Sequence, residues 1–357
     1  MKPYYEVSTN SDQSCFCCCH SEGVTIYDSY PLQKRLNLRF NESMMIGNDH
    51  DEGVTGMDMG IGKCSLLNRS NYMCLVGGDG GVGGNQGGIR PAFPLNQVVI
   101  WDDLLKRVIF KLKFLYPVKR VYLTRLYIVV NISNEIQMYT FTNPPRRIYE
   151  TTSLKAGLQL DFKLVKSVGI IAYESLNHVG QIYISRIENH EGQYLPTNII
   201  KAHKNGIQLI KISPNGKYVA TCSTRGTIIR VFNTFNGLLV NEFRRGLDMV
   251  SIYAMNFNQE STKLAIISNK QTLHIFQIDE LKQYDKSICS LKLLNPTIRN
   301  NPELFTSRDK CEIIWNDDED DSIILVWLNY RIWIKYIMIY DKSINKFKLI
   351  RESWRQL

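Results

Sequence analysis

The chain has 357 residues and a net charge of +9, with 44% apolar and 22% charged residues, the composition of an ordinary globular protein. Its first residues contain no apolar run that would predict a secretory signal. The longest apolar-rich segment, Ile323 to Tyr340, is interrupted by Asn329, Arg331 and Lys335, so no membrane-spanning segment is predicted.

Four of the nine cysteines lie close together near the start of the chain, at Cys15, Cys17, Cys18 and Cys19. Zinc sites usually pair two such clusters, whereas the remaining cysteines are scattered singly. We therefore interpret residues 14–20 as a buried strand in which Cys packs as a small apolar residue, with metal binding or acylation as the alternatives. Nine unpaired thiols are typical of a reducing cytosol.

Short β-branched and aromatic runs recur along the chain, and helical periodicity is almost absent. One pattern, an apolar run that ends in an aromatic residue and often Asp or Asn, occurs seven times. Its copies lie at 24–28, 98–102, 136–139, 181–185, 229–233, 273–276 and 334–341. In the middle of the chain they are 38 to 47 residues apart, a spacing typical of propeller blades with four strands each. The turns of two hairpins are predicted at Ser213–Gly216 and Asn233–Gly237.

Two intervals in this repeat are too long and predict loop insertions on a single propeller. The interval between the first two copies would hold insertions at about 41–62 and 77–94, and the interval before the last copy would hold the stretch at about 279–302. The second contains the glycine-rich run 77–88, which lacks the Lys-Ser/Thr ending of a phosphate-binding loop. The acidic run 317–321 has no calcium-ligand spacing and is interpreted as a solvated turn. No nucleophile elbow or paired carboxylates predict an enzyme, and no cofactor is expected.

The positive charge is concentrated between Lys201 and Ile275, where ten Lys and Arg face three acids and leave +7. This stretch contains the motif Phe243-Arg244-Arg245-Gly246. Adjacent side chains of an extended segment point in opposite directions, so the two arginines would serve two separate sites. A guanidinium matches phosphate oxygens in shape and charge. Hydroxyl, imidazole and cationic side chains on both sides of the motif indicate an anionic ligand, although ordinary polar strand residues would give the same list.

The residues 239–246, preceded by 220–232, closely resemble the PROPPIN (WIPI-type) family of phosphoinositide-binding propellers. Further similar segments are 21–27, 96–103, 116–121, 200–204 and 349–354, so the resemblance covers nearly the whole chain. It implies an all-β, seven-bladed, WD-repeat-like β-propeller that binds phosphatidylinositol 3-phosphate and phosphatidylinositol 3,5-bisphosphate at two sites.

The resemblance also assigns residues to these sites. The first site would contain His203, Ser223, Thr227, Arg230 and Arg244. The second site would contain Arg245, Ser251, Ser268, Lys270, Thr272 and His274. A membrane-contacting loop is expected at about 279–302, with Leu281, Tyr284, Ile288, Leu291, Leu293 and Leu294 as its apolar residues among lysines. A loop packed on its own blade is the alternative.

We therefore expect a non-enzymatic, peripheral membrane protein of the cytoplasm on vacuolar, endosomal and pre-autophagosomal membranes. The resemblance implies that it recruits autophagy proteins there. The alternative is a propeller scaffold whose basic face binds an acidic protein partner rather than lipid. Nucleic acid is disfavoured as a partner, because the basic stretch has no groove-reading or base-stacking motif.

Overall fold

The computed structural model describes residues 4–41, 58–78, 90–133, 135–152, 159–175, 177–188, 193–194, 198–281, 284–293, 311–316, 322–343 and 345–357. All regular secondary structure in these ranges is β-strand, and none of the described residues form a helix that could cross a membrane. The chain folds as two compact units, residues 1–157 and 158–357.

The first unit contains three blades, which are meanders of four antiparallel strands. Blade one is β1 (Tyr4–Thr9), β2 (Cys15–His20), β3 (Gly23–Asp28) and β4 (Gln33–Asn41). Blade two is β5 (Asp58–Leu66), β6 (Tyr72–Gly77), β8 (Gln97–Asp102) and β9 (Arg107–Lys113), with the short β7 (Arg90–Pro91) parallel to β5. Blade three is β10 (Val118–Leu123), β11 (Tyr127–Ile132), β12 (Glu135–Thr140) and β13 (Arg147–Thr152). Blades one and two form a continuous sheet because β4 pairs with β5.

The second unit contains four blades. Blade four is β14 (Leu160–Val165), β15 (Val168–Glu174), β16 (Gln181–Glu188), and β17 (Gln193–Tyr194) and β18 (Asn198–Lys201), which both pair with β16. Blade five is β19 (Ile207–Ile212), β20 (Tyr218–Ser223), β21 (Ile228–Asn233) and β22 (Leu239–Arg244), with β26 (Tyr284–Asp285) parallel to β22. Blade six is β23 (Ile252–Phe257), β24 (Lys263–Ser268), β25 (Thr272–Gln277) and β27 (Cys289–Lys292). Blade seven is β28 (Cys311–Asn316), β29 (Ser322–Trp327), β30 (Ile332–Asp341) and β31 (Lys346–Gln356).

The repeated aromatic pattern marks the third strand of every blade, which confirms the prediction of seven blades. The third strands are β3, β8, β12, β16, β21, β25 and β30. Both predicted hairpin turns are also confirmed, since Gly216 and Gly237 have φ of 71° and their amides donate to the carbonyls of Ser213 and Asn233. The protein is therefore an all-β, seven-bladed β-propeller.

A one-residue bulge recurs where the third and fourth strands pair. The register shifts by one residue beside the aromatic position in blades one, two, three, five and seven. The extra residues on the fourth strands are Arg35, Ile109, Ile148, Val240 and Glu352. A bulge redirects the side chain of the extra residue. In blade one it brings Arg35 Nε to 2.6 Å from Asp28 Oδ1.

The apolar cores lie between consecutive blades within each unit. One core joins blades one and two, where the ring of Phe40 packs edge-on against Phe93 and Trp101 at centroid distances of 5.4 and 5.5 Å. The cysteines of β2 are all buried, as the interpretation of residues 14–20 as a buried strand predicts. Another core joins blades five and six and contains Phe243 and Phe276, whose rings stack 4.6 Å apart.

The prediction of loop insertions is wrong at their edges. Residues 58–62 belong to β5, and residues 90–91 form β7. Residue 41 ends β4 and residue 77 ends β6, while residues 78 and 92–94 are described outside strands. Residues 42–57 and 79–89 lie outside the described residues, as does the acidic run 317–321.

The expected membrane loop at 279–302 is also wrong over much of its described length. Residues 289–292 are β27, which pairs with β25 as the fourth strand of blade six. Leu293 is only 4% exposed, and Ile288 and Leu291 pack against the core between blades six and seven. The backbone at Tyr284 pairs with β22, Leu281 is exposed, and Leu294 lies outside the described residues.

Candidate functional site

Both predicted sites are built around equivalent turns in neighbouring blades. The turn between β20 and β21 runs from Ser223 to Gly226, and its closing hydrogen bond joins Gly226 N to Ser223 O at 2.9 Å. The turn between β24 and β25 runs from Ser268 to Gln271 and closes in the same way at 2.7 Å. Each turn belongs to the pattern Ser-x-Arg/Lys-x-Thr, as Ser223-Thr-Arg-Gly-Thr227 and Ser268-Asn-Lys-Gln-Thr272. The chain therefore presents the same polar turn twice.

The Arg-Arg motif lies at the end of β22, beside both turns. Phe243 is fully buried and stacks on Phe276, which fixes the backbone just before the arginines. Arg244 is exposed, and its guanidinium makes no hydrogen bond or ion pair with the described residues. Arg245 N donates to Thr227 O at 3.0 Å, which ties the motif to the first turn.

The first site contains a hydrogen-bonded group of His203, Thr221 and Arg230. His203 Nε2 lies 3.0 Å from Thr221 Oγ1, which in turn is 3.4 Å from the carbonyl of Arg230. The Arg230 guanidinium pairs with Glu242 Oε2 at 2.7 Å and donates to Ala202 O at 2.6 Å. Since Glu242 balances Arg230, the unbalanced positive charge of the first site comes from Arg244.

The second site has a cation beside polar atoms that lack hydrogen-bond partners. Burial is the main cause that lowers the pKa of the His274 imidazole to about 4, and the positive charge of the nearby Arg245 is the second cause. Among the described residues, His274 Nδ1 and Ser268 Oγ are buried without a partner. Buried polar atoms are nearly always satisfied, so the two atoms mark hydrogen-bonding capacity that the described residues leave unused.

The other predicted residues of the second site are Lys270, Thr272 and Ser251. Lys270 forms an ion pair with Asp248, which lowers the pKa of that carboxyl. Thr272 Oγ1 is 3.5 Å from the Lys270 carbonyl. Ser251 is exposed, and its carbonyl accepts a hydrogen bond from Asn269 N at 2.8 Å. The structure thus brings the second-site residues to one turn and the segment that faces it.

Sequence reasoning missed several residues that shape these sites. Thr221 is fully buried and holds His203, Glu242 and Asp248 neutralise cations, and Asn269 has a buried Oδ1 without a partner. Thr221 could have been found from strand alternation, because it lies two positions before Ser223 on the same face of β20. The ion pairs depend on which residues face each other across neighbouring strands, and this register cannot be read from the pattern of residue types in the sequence.

Comparison with known proteins identifies the family. The chain is 34% identical to SVP1-like protein 2 of Saccharomyces cerevisiae, over 99% of this chain and 96% of that protein. It is 32% identical to SVP1-like protein 2 of Candida glabrata with the same coverage. A sequence model of the PROPPIN family matches residues 156–290, which include both turns and the arginines. The chain belongs to the PROPPIN family.

Solved structures of other PROPPINs have the same fold. Hsv2 of Kluyveromyces lactis superposes with a TM-score of 0.78 at 26% identity, covering 100% of this chain and 99% of that one. PROPPINs are phosphoinositide-binding β-propellers of autophagy, associate peripherally with membranes and are not known as enzymes. The family resemblance predicted from the sequence is therefore confirmed.

Two half-buried histidines, His203 and His274, predict a pH-dependent stability for this PROPPIN. Burial, with Arg230 as the second cause, lowers the pKa of His203 to about 4, as for His274. The unfolded chain then binds more protons than the folded chain between about pH 6.5 and 4, so the free energy of unfolding should fall as the pH drops through this window. Urea unfolding at pH 7 and pH 5 measures the fall. In His203→Gln, which cannot titrate, the fall should be smaller; an equal fall would contradict the assignment.

Proposed function

We propose that the protein is a peripheral membrane protein that binds phosphatidylinositol 3-phosphate and phosphatidylinositol 3,5-bisphosphate at the first and second sites. The observation that carries this proposal is the second site, where the charge of Arg245 acts on His274, and where Ser268 Oγ and His274 Nδ1 are buried polar atoms without partners among the described residues. A phosphorylated inositol supplies both an anion for the guanidinium and hydroxyls for those atoms.

Two sites follow from the repeated turn and from the separation of the two arginines. The Arg245 guanidinium donates to Gly226 O of the first turn and its charge acts on His274 of the second site, whereas Arg244 remains exposed at the end of β22. Each site alone offers few charge-assisted contacts. Binding of one headgroup makes the second contact intramolecular at the same membrane, which raises the overall affinity.

This proposal places the protein on vacuolar, endosomal and pre-autophagosomal membranes, where it recruits autophagy proteins to lipids that carry the 3-phosphate. Membership of a family of autophagy propellers supports that role. A propeller that used its basic face only to bind an acidic protein would not bind protein-free vesicles, whether or not their lipids carry the 3-phosphate. Lipid specificity therefore separates the two functions.

The number of sites can be tested with soluble inositol 1,3-bisphosphate, the headgroup of phosphatidylinositol 3-phosphate, by calorimetric titration. We expect about two headgroups per chain. Arg230→Ala should remove the first site, because Glu242 would then lose its cation and repel the ligand phosphate. His274→Ala should remove the second site.

Each single variant should retain one site of near wild-type affinity. A wild-type stoichiometry of one that is unaffected by His274→Ala would exclude the second site. The same titration with inositol 1,4-bisphosphate controls for the position of the phosphate. Equal affinity for the two headgroups would contradict recognition of the 3-phosphate.

A further inference from the structure

Two large apolar side chains are exposed beside the proposed headgroup sites. Leu247 is 82% and Met249 is 65% exposed. Both lie in the connection between β22 and β23, residues 245–251, which we name the connecting segment. This segment begins with Arg245 and ends with Ser251, so the second site and the two apolar side chains share one short piece of backbone.

The connecting segment is held in place by hydrogen bonds and an ion pair. Arg245 Nε donates to Gly226 O at 3.0 Å, and its Nη2 donates to the carbonyl of Asp248. The Asp248 carboxylate pairs with Lys270. The residue between Leu247 and Met249 is thus fixed from both sides, and the two apolar side chains remain in solvent.

Backbone packing fixes the second half of the connecting segment. Val250 is buried, and its amide donates to Arg225 O at 3.1 Å. Gly226 has φ of +63°, and a Cβ there would lie 2.1 Å from Val250 O, so only glycine allows this approach. In contrast, a Cβ at Gly246 would meet no atom within 4 Å. The space beside Gly246, near the start of the connecting segment, is therefore open.

An anionic membrane surface has an outer layer of lipid phosphates and, below it, the boundary with the acyl chains. Exposed apolar side chains next to an unpaired positive charge match these two layers. Arg244 is unbalanced among the described residues, and Leu247 follows it by three positions. Lipid phosphates would meet the arginines, and the boundary between headgroups and acyl chains would meet the apolar side chains. A headgroup in the second site brings that boundary to the connecting segment, which favours lipid over a protein partner as the occupant.

The described apolar residues of the expected loop at 279–302 do not fit this role. Ile288, Leu291 and Leu293 belong to or pack against blade six. Leu281 is 94% exposed, but its neighbour Glu280 pairs with Lys217, which lies just before the start of β20. Ser223 of the first site lies at the other end of β20. The two ends of this six-residue strand are roughly 16 Å apart at about 3.3 Å per residue, so Leu281 lies near the end of β20 that is away from the first site.

We infer that Leu247 and Met249 enter the membrane interface when the headgroup sites are occupied and provide the apolar part of membrane attachment. This inference rests on the proposed function, because headgroup binding is what brings the segment to the bilayer. Vesicle affinity then has two separable contributions, one from the sites and one from these two side chains.

The test compares Leu247→Gln/Met249→Gln with the wild type in two assays. The vesicles consist of phosphatidylcholine with about 5 mol% phosphatidylinositol 3-phosphate. Affinity for them should fall about 100-fold in the double variant, roughly tenfold for each apolar side chain removed. Affinity for soluble inositol 1,3-bisphosphate should stay within about twofold. Leu238→Gln is the matched control, because Leu238 is also 65% exposed and precedes the opposite end of β22. It should bind both ligands like the wild type.

A spectroscopic readout follows insertion directly. All nine native cysteines are buried, so the variant Leu247→Cys can be labelled selectively with an environment-sensitive dye. Its emission should shift to the blue on phosphatidylinositol 3-phosphate vesicles and not on phosphatidylcholine alone, while a label at position 238 should not shift.

The outcomes distinguish this inference from the proposed function. Unchanged vesicle binding by the double Gln variant, with normal headgroup binding, would overturn the inference and leave the headgroup sites intact. Equal loss of headgroup and vesicle binding would also overturn it, since the segment would then act on the sites and not on the bilayer. A wild-type protein that bound no headgroup would reject the proposed function and, with it, this inference.

Discussion

The double substitution of Arg244 and Arg245 by Thr is expected to lower the affinity for phosphatidylinositol 3-phosphate vesicles by at least about 100-fold. Each arginine would lose a charge-assisted contact worth about 1.5–3 kcal/mol, and each 1.4 kcal/mol is about tenfold in affinity. The loss should be seen in vesicle flotation and in the disappearance of membrane puncta in cells. Circular dichroism should remain that of a folded β-protein, because Phe243, which anchors the motif in the core, is unchanged.

A second Arg-Arg pair in the chain provides the control. Arg146 and Arg147 are also adjacent and exposed, and their replacement with Thr removes the same charge from blade three. If affinity depended only on net charge, both double variants would lose binding equally. We expect the blade-three variant to float like the wild type, and flotation by the Arg244/Arg245 variant would refute the proposed function.

Removal of Glu352 is expected to destabilise the fold by about 3 kcal/mol, the largest effect on stability among our predictions. Lys335 on β30 is fully buried, and its Nζ lies 2.9 Å from Glu352 Oε2. Glu352 is the extra residue of the blade-seven bulge, which turns its carboxylate toward that ammonium. In Glu352→Ala the buried charge would lose this carboxylate, which urea unfolding should detect.

Two further variants make the reason testable. Lys348→Ala removes an exposed ion pair with Asp341 between the same two strands and should leave the free energy of unfolding close to that of the wild type. Adding Lys335→Met to Glu352→Ala should recover much of the lost stability, because no buried charge would remain. Stability of Glu352→Ala within about 1 kcal/mol of the wild type would show that the Lys335 ammonium does not depend on Glu352.

Much of the fold could be predicted from the sequence because its signal is repeated. The aromatic pattern recurs in every blade, and its period fixes four strands between copies. The turns at Gly216 and Gly237 were predictable since their positive φ favours glycine. Residue types also indicated the polar side chains on both sides of the arginine motif, because hydroxyl, imidazole and cationic groups are visible without structure; the two equivalent turns that carry many of them were not predicted.

The membrane loop was mispredicted because composition does not separate an interfacial loop from a half-buried edge strand. From Cys289 to Leu293, side chains alternate between buried or half-buried and exposed, which is the two-residue period of a strand. Leu291 and Lys292 satisfy either interpretation by residue type alone. Ion pairs such as Arg230 with Glu242 also escaped prediction, since they depend on which residues face each other across strands.

The recurrent bulges have a consequence for how this protein behaves at high concentration. Apart from the short pairing of β4 with β5, the fourth strand of a blade is a sheet edge, and an unbroken edge offers regularly spaced amide and carbonyl groups to any extended chain that meets it. One extra residue in five of these strands interrupts that spacing, and β26 covers part of the edge of blade five. A protein gathered on one membrane patch would therefore resist joining its copies through backbone hydrogen bonds, and crowding there would leave it free to dissociate.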